Sequence, residues 1–155
     1  KTAGAPVKVD ISKLEPGQQA VVKWRGKPVW IVKRGEEALA NLPKLDSNMQ
    51  DPNSEASEQP VYVPNTPVRA IRDDIAVLVG ICTHLGCSPT YRPEIAPADL
   101  GADWVGGYYC PCHGSRFDLS GRVMNGSPAP SNLVIPPHHY ESDNVIIVGV
   151  DQETA

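Results

Sequence analysis

The feature that most limits this chain is a pair of short boxes rich in cysteine and histidine. The first is Cys82-Thr83-His84-Leu85-Gly86-Cys87, the second Cys110-Pro111-Cys112-His113-Gly114-Ser115. All four cysteines of the 155-residue chain and two of its four histidines lie in them. Such clustering points to a metal site, a disulfide, or both. A glycine in each box lets the backbone turn tightly around a small centre. The boxes offer six ligands, four thiols and two imidazoles. A structural zinc takes four and closes tetrahedrally, usually on paired Cys-x2-Cys or His-x3-His spacings. Here each box supplies one Cys and one His, with one further Cys.

A [2Fe–2S] centre of the Rieske type fits that count, because one iron binds two thiolates and the other two imidazoles. Cys82 and Cys110 would serve the first iron, His84 and His113 the second. Cys87 and Cys112 are then spare and could form a disulfide tying the boxes together. A structural zinc site, or two plain disulfides beside surface histidines, stay open as alternatives on this count.

The rest of the chain reads as all-β. Apolar residues make up 41% of it, enough for a core, but 16 prolines and 13 glycines cut them into short runs. Strands are expected at Val7–Ile11, Gln19–Trp24, Val29–Lys33, Val68–Arg72, Ile75–Ile81 and Val145–Val150. Arg25-Gly26-Lys27-Pro28 would turn a hairpin, and Glu36–Leu42 would form a short helix ending before Pro43. Asp46–Pro60 reads as an exposed, solvated acidic loop, and Pro93–Leu100 as one helical turn or a loop. Trp24, Trp30 and Trp104 read as packing residues, and His138 and His139 as surface or packing histidines rather than ligands. The pattern predicts a single domain over residues 1–155. Residues 1–80 and 137–155 would form a β-sandwich base, and 81–136 a small inserted subdomain held by metal and cross-link.

The net charge of −4 argues against nucleic acid as a partner. No run of about 18 apolar residues is present to span a bilayer, and no signal peptide is evident. Lys1–Pro6 reads like the end of a flexible linker, which suggests a soluble part of something longer.

Both boxes, followed by a proline loop at Gly126-Ser127-Pro128-Ala129-Pro130, resemble the Rieske iron–sulfur subunits of the quinol–cytochrome c reductase (cytochrome bc1) family, proteobacterial type. That family's pattern is C-T-H-L-G-C, then C-P-C-H-G-S, then G-P-A-P. The resemblance covers Cys82 to Pro130 and implies a Rieske fold. Rieske ferredoxins of oxygenases usually lack the spare cysteines and the proline loop. Relatives in b6f complexes have both, but usually a shorter stretch between the boxes than Ser88–Tyr109. Two departures stand out. Phe117 occupies the place of a common tyrosine, and Ser127 interrupts the G-P-A-P.

The resemblance implies one-electron transfer from quinol, at cytochrome b, to cytochrome c1. The chain would act as a subunit of the reductase and not turn over alone. A Rieske ferredoxin feeding an oxygenase and a b6f-type subunit are the alternatives. His113 would hydrogen-bond the quinol, with His84 its neighbour, and Ser115 would donate to a bridging sulfide of the [2Fe–2S] cluster. Imidazole ligands and hydrogen bonds to sulfur both favour the reduced state. The family also implies anchoring by an N-terminal membrane helix absent from this chain. The head would lie on the periplasmic side of the bacterial inner membrane, or in the intermembrane space of a mitochondrion.

Overall fold

The structure, a computed structural model, describes residues 4–151. Its strands are β1 (Val7–Asp10), β2 (Gln19–Trp24), β3 (Lys27–Lys33), β4 (Ile75–Val79), β5 (Thr90–Ile95), β6 (Val105–Tyr109), β7 (Arg116–Asp118), β8 (His138–Ser142) and β9 (Val145–Val148). They form three antiparallel sheets in the orders β1-β9-β8, β2-β3-β4 and β5-β6-β7. Between β3 and β4 lie a short helix, α1 (Glu36–Asn41), and a 3-10 turn at Pro43–Asn48.

The β2-β3-β4 sheet is the middle layer, and its sequence shows why. Successive residues of a strand point to opposite faces. In β3, Val29 and Ile31 face a core shared with Val9, Ile146 and Val148 of the β1-β9-β8 sheet. Trp30 and Val32 face the other way, into a core with Tyr108, Phe117 and Leu133. In β4, Ile75, Val77 and Val79 join the first core, Ala76 and Leu78 the second. A sheet covered on both faces reads as a continuous apolar run, as Val-Trp-Ile-Val and Ile-Ala-Val-Leu-Val do. The all-β expectation therefore holds, and so do the strands at both ends of the chain. Residues 1–3 of the expected linker lie outside the described residues. Among the described residues, no helix is long and apolar enough to cross a membrane.

Other expectations fail for non-local reasons. Val68–Arg72 is not a strand, apart from a single bridge from Arg72 to Ile75. Arg69 has a left-handed backbone, φ 45°. Its buried guanidinium donates to the carbonyls of Ser120 and Leu133, each at 3.0 Å, and to Gln59 Oε1 at 3.0 Å. The segment bends to deliver that side chain. Asp46–Pro60 is not merely a solvated loop. Met49 and Ser54 are buried, Met49 bridges to Met124, and the Gln50 N–H donates to Val123 O at 2.9 Å. Asp51 collects the N–H groups of Glu55 (2.8 Å) and Ala56 (3.0 Å) and the Ser57 hydroxyl (2.8 Å). Strands β5, β6, β7 and β8 were not expected. β5 runs through Pro93 to Ile95, where its register with β6 shifts, and a turn at Pro97–Gly101 follows. The helix ends one residue earlier than expected, with Leu42 as its C-cap.

Candidate metal centre

The two boxes begin where two strands end, box one after β4 and box two after β6. Both fold on one backbone frame. In the first, the Cys82 N–H donates to Cys87 O at 2.6 Å and the Gly86 N–H to Cys82 O at 3.0 Å. In the second, the Cys110 N–H donates to Ser115 O at 2.8 Å and the Gly114 N–H to Cys110 O at 2.9 Å. Each frame thus closes from its cysteine to the residue five further on, and back from the glycine. Gly86 and Gly114 hold φ of 87° and 84°, which a side chain would strain. Within the shared frame the histidine sits at the third position of box one and the fourth of box two.

The geometry brings the two boxes together. The Cys82 and Cys110 thiols are free and buried. His84 is half-buried and His113 exposed. Their rings stand edge to face, with centroids 4.9 Å apart and planes at 82°. Cys87 and Cys112 are joined by a disulfide that crosses between the boxes, with Cα atoms 6.6 Å apart. The Sγ atoms of Cys87, Cys110 and Cys112 lie within 4.8 Å of one another. Leu85, next to His84 in the chain, is 68% exposed.

Burial, above all, pushes the Cys82 thiol up; the adjoining Cys110 adds to this, against hydrogen bonds from the His84 N–H and the Ser115 hydroxyl. A thiol held in this way gives up its proton most readily to a metal. Two unpaired buried thiols in mutual contact, with two imidazoles at the rim, match a mixed sulfur and nitrogen ligand set. The donor set fits a Rieske-type cluster.

Further groups brace the boxes from behind. Thr83 Oγ1 donates to Ser131 O at 2.6 Å, and Ser115 Oγ accepts the Ala129 N–H at 3.0 Å. The proline loop is therefore bonded to both boxes. Gln50 Nε2 reaches its Ala129 and Pro130 carbonyls, each at 3.3 Å. Asn132 Oδ1 accepts the Val123 N–H at 2.8 Å, while its Nδ2 donates to Asp51 O at 3.0 Å. Thr83, Gln50, Asp51 and Asn132 carry no mark of this role in the sequence, because the bonds by which they tie the loop, the boxes and the Asp51 segment together span 48 to 81 residues. The three tryptophans are buried as expected. His138 is a packing residue on Pro136 O at 2.8 Å, far from ligand duty.

The Rieske [2Fe-2S] domain profile matches residues 6–137. Over its full length the chain is 59% identical to the ubiquinol-cytochrome c reductase iron-sulfur subunit of Allochromatium vinosum, spanning 74% of that protein. Over 94% of the chain it is 40% identical to the mitochondrial cytochrome b-c1 complex subunit Rieske-3 of Nicotiana tabacum. It spans 47% of that relative, so about half the length of the mitochondrial proteins it matches. Among solved structures, a chain of a hyperthermophilic respiratory Complex III superposes with TM-score 0.54 at 26% identity, over 89% of this chain and 71% of that one. The twin loop frames, the paired free thiols and rings, and these likenesses agree: the chain belongs to the Rieske [2Fe–2S] family.

Proposed function

We propose that this chain carries single electrons from a quinol to a c-type cytochrome as the iron–sulfur subunit of a bc1-type complex. The observation that carries the reading is the seating of two buried thiols behind two adjacent imidazoles, one of them exposed. In this reading Cys82 and Cys110 bind one iron, and His84 and His113 the other. Bound there, the cluster supplies one-electron redox chemistry. Cytochrome b and cytochrome c1 are the partners on either side, and the head faces the periplasm. Residues 81–136 act as the cluster-carrying insert on a base made of 1–80 and 137–155.

The chain's own residues divide the work. His113, the more exposed ring, offers a nitrogen to the quinol hydroxyl and takes its proton as the electron leaves. His84, edge-on to it, limits how that ring can turn. Ser115, with one lone pair engaged by the Ala129 N–H, keeps its own proton for sulfur. Leu85 supplies an apolar contact at the rim, which excludes water from the docked quinol. The Cys87–Cys112 bridge holds the two rings in register between partners.

Iron and sulfide analysis, with EPR and nitrogen couplings on the reduced protein, tests the ligand set. Two irons per chain with two nitrogen ligands support it. Zinc, or iron bound by four thiolates, overturns it.

A further inference from the structure

By the family resemblance, Ser127 interrupts the Gly-Pro-Ala-Pro of the proline loop, and the structure gives that residue a specific place. The Arg116 N–H, which opens β7 directly after box two, donates to Ser127 Oγ at 3.0 Å. On the other side of the same residue, the Met124 N–H donates to Arg116 O at 2.9 Å. The Ser127 N–H closes back on Met124 O at 3.2 Å. Met124 to Ser127 thus forms a clasp around Arg116, completed by a side-chain oxygen. Two residues beyond the clasp, the Ala129 N–H meets Ser115 Oγ at 3.0 Å. Ser115 is 1% exposed, so its hydroxyl has no water to turn to.

We propose that Ser127 is a positioning residue: by gripping the Arg116 N–H it fixes the proline loop against box two, and so fixes which way the Ser115 hydroxyl points. Hydroxyl direction follows from lone-pair use. With the Ala129 N–H on one lone pair, the remaining freedom of Ser115 is rotation of its proton. A fixed loop restricts that rotation to the side where the Cys82 sulfur lies. Loss of the Ser127 oxygen leaves the Arg116 N–H without its partner and frees residues 127–129 to shift. The Ser115 bond to sulfur then weakens, and it weakens most in the electron-rich reduced state, where such a bond is strongest. An alanine at 127 should therefore lower the affinity for the electron without removing the ligands.

The inference rests on the cluster reading above, and its test separates the two. Ser127→Ala and Ser127→Thr, each alone and with Ser115→Ala, are prepared in the cluster-loaded protein. EPR and visible absorption first report whether a mixed-ligand [2Fe–2S] cluster is present; its absence in the parent protein refutes the cluster reading, whatever position 127 does. With the cluster present, Ser127→Ala should lower the reduced-to-oxidised ratio at fixed ambient potential about threefold, roughly 28 mV at 59 mV per tenfold. Ser127→Thr, which keeps the hydroxyl, should restore the ratio. In the Ser115→Ala background, Ser127→Ala should produce no further shift. The melting temperature of each variant is read alongside, so that a shift in potential is separated from loosened packing. An unchanged ratio in Ser127→Ala, or an equal shift with and without Ser115, overturns the proposal. If Ser127→Ala fails to retain its cluster, Ser127→Cys, a weaker acceptor of similar size, carries the same test.

Discussion

Asp118 and Arg122 form an ion pair at 2.9 Å in which neither side chain is exposed to water. Asp118 Oδ1 also accepts the N–H groups of Ser120 and Arg122, both at 2.9 Å, so the carboxylate organises the whole turn after β7. The guanidinium reaches on to Asp46 Oδ1 at 2.7 Å and Leu42 O at 2.9 Å. One buried pair thereby joins the strand behind box two to the segment that follows α1. Asp118→Asn would keep the shape and the acceptor but strand a buried cation. Breaking such a pair typically costs about 3–5 kcal/mol. Asp46 still faces the guanidinium, so the loss should lie near the lower end, about 3 kcal/mol. Chemical denaturation checks this; a loss under about 1 kcal/mol would mean that Asp46 alone suffices.

The Cys87–Cys112 bridge spans 25 residues, among them strands β5 and β6. Closing a loop of that length removes roughly 3.5 kcal/mol of freedom from the unfolded chain. Cys87→Ser or Cys112→Ser should cost about that much and should also release iron faster. The boxes would then be held by the proline loop, by their ring and thiol contacts and by the core they share. Iron content after timed incubation with a chelator reads the effect. Equal iron retention in parent and variant would show that these contacts hold the boxes without the bridge.

Phe117 is fully buried in the same core as Cys82 and Cys110. Relatives with tyrosine at this place direct its hydroxyl to a cluster cysteine, by the family resemblance Cys82. A hydrogen bond to a charged group is worth roughly 1.5–3 kcal/mol. Only the difference between redox states moves the potential. If that difference is about 1 kcal/mol, Phe117→Tyr should raise the midpoint by roughly 40 mV. The optical spectrum should change little. A rise below about 10 mV, or a fall, would mean that the ring edge does not meet the sulfur.

His138 answers to acid. Its ring is buried, and Nδ1 lies 2.8 Å from Pro136 O, a carbonyl that can only accept, so Nδ1 carries the proton and Nε2 is bare. Burial chiefly, helped by the charge of His139, holds its pKa below the ordinary value, against the bond to Pro136. The unfolded chain therefore binds this proton at a higher pH than the folded one. The stability from the neutral ring is present above about pH 6.5 and is lost as pH falls toward the lowered folded value. Denaturation midpoints should drop between pH 7.5 and 5, and His138→Gln should flatten that slope. A slope untouched by the substitution would assign the acid loss to other groups.

Much of the candidate site was legible from the residues because ligand chemistry is local. A thiol or imidazole at fixed spacing has few uses, and six of them on two glycine-containing loops have fewer still. The same holds for β3 and β4, whose unbroken apolar runs announce strands buried on both faces. The residues alone mark the candidate ligands, the cysteine pair and these core strands. The remaining features depend on contacts made across the folded chain. β5 and β6 carry charges, a proline and two glycines among their strand formers, and are strands because each finds a partner edge. Arg69 breaks an apparent strand because its guanidinium finds carbonyls at Ser120 and Leu133. The acidic stretch from Asp46 becomes a brace because Arg122, Val123 and Asn132 meet it across more than 70 residues. A buried donor must find its acceptor wherever the folded chain places one, and that pairing is written in no local pattern.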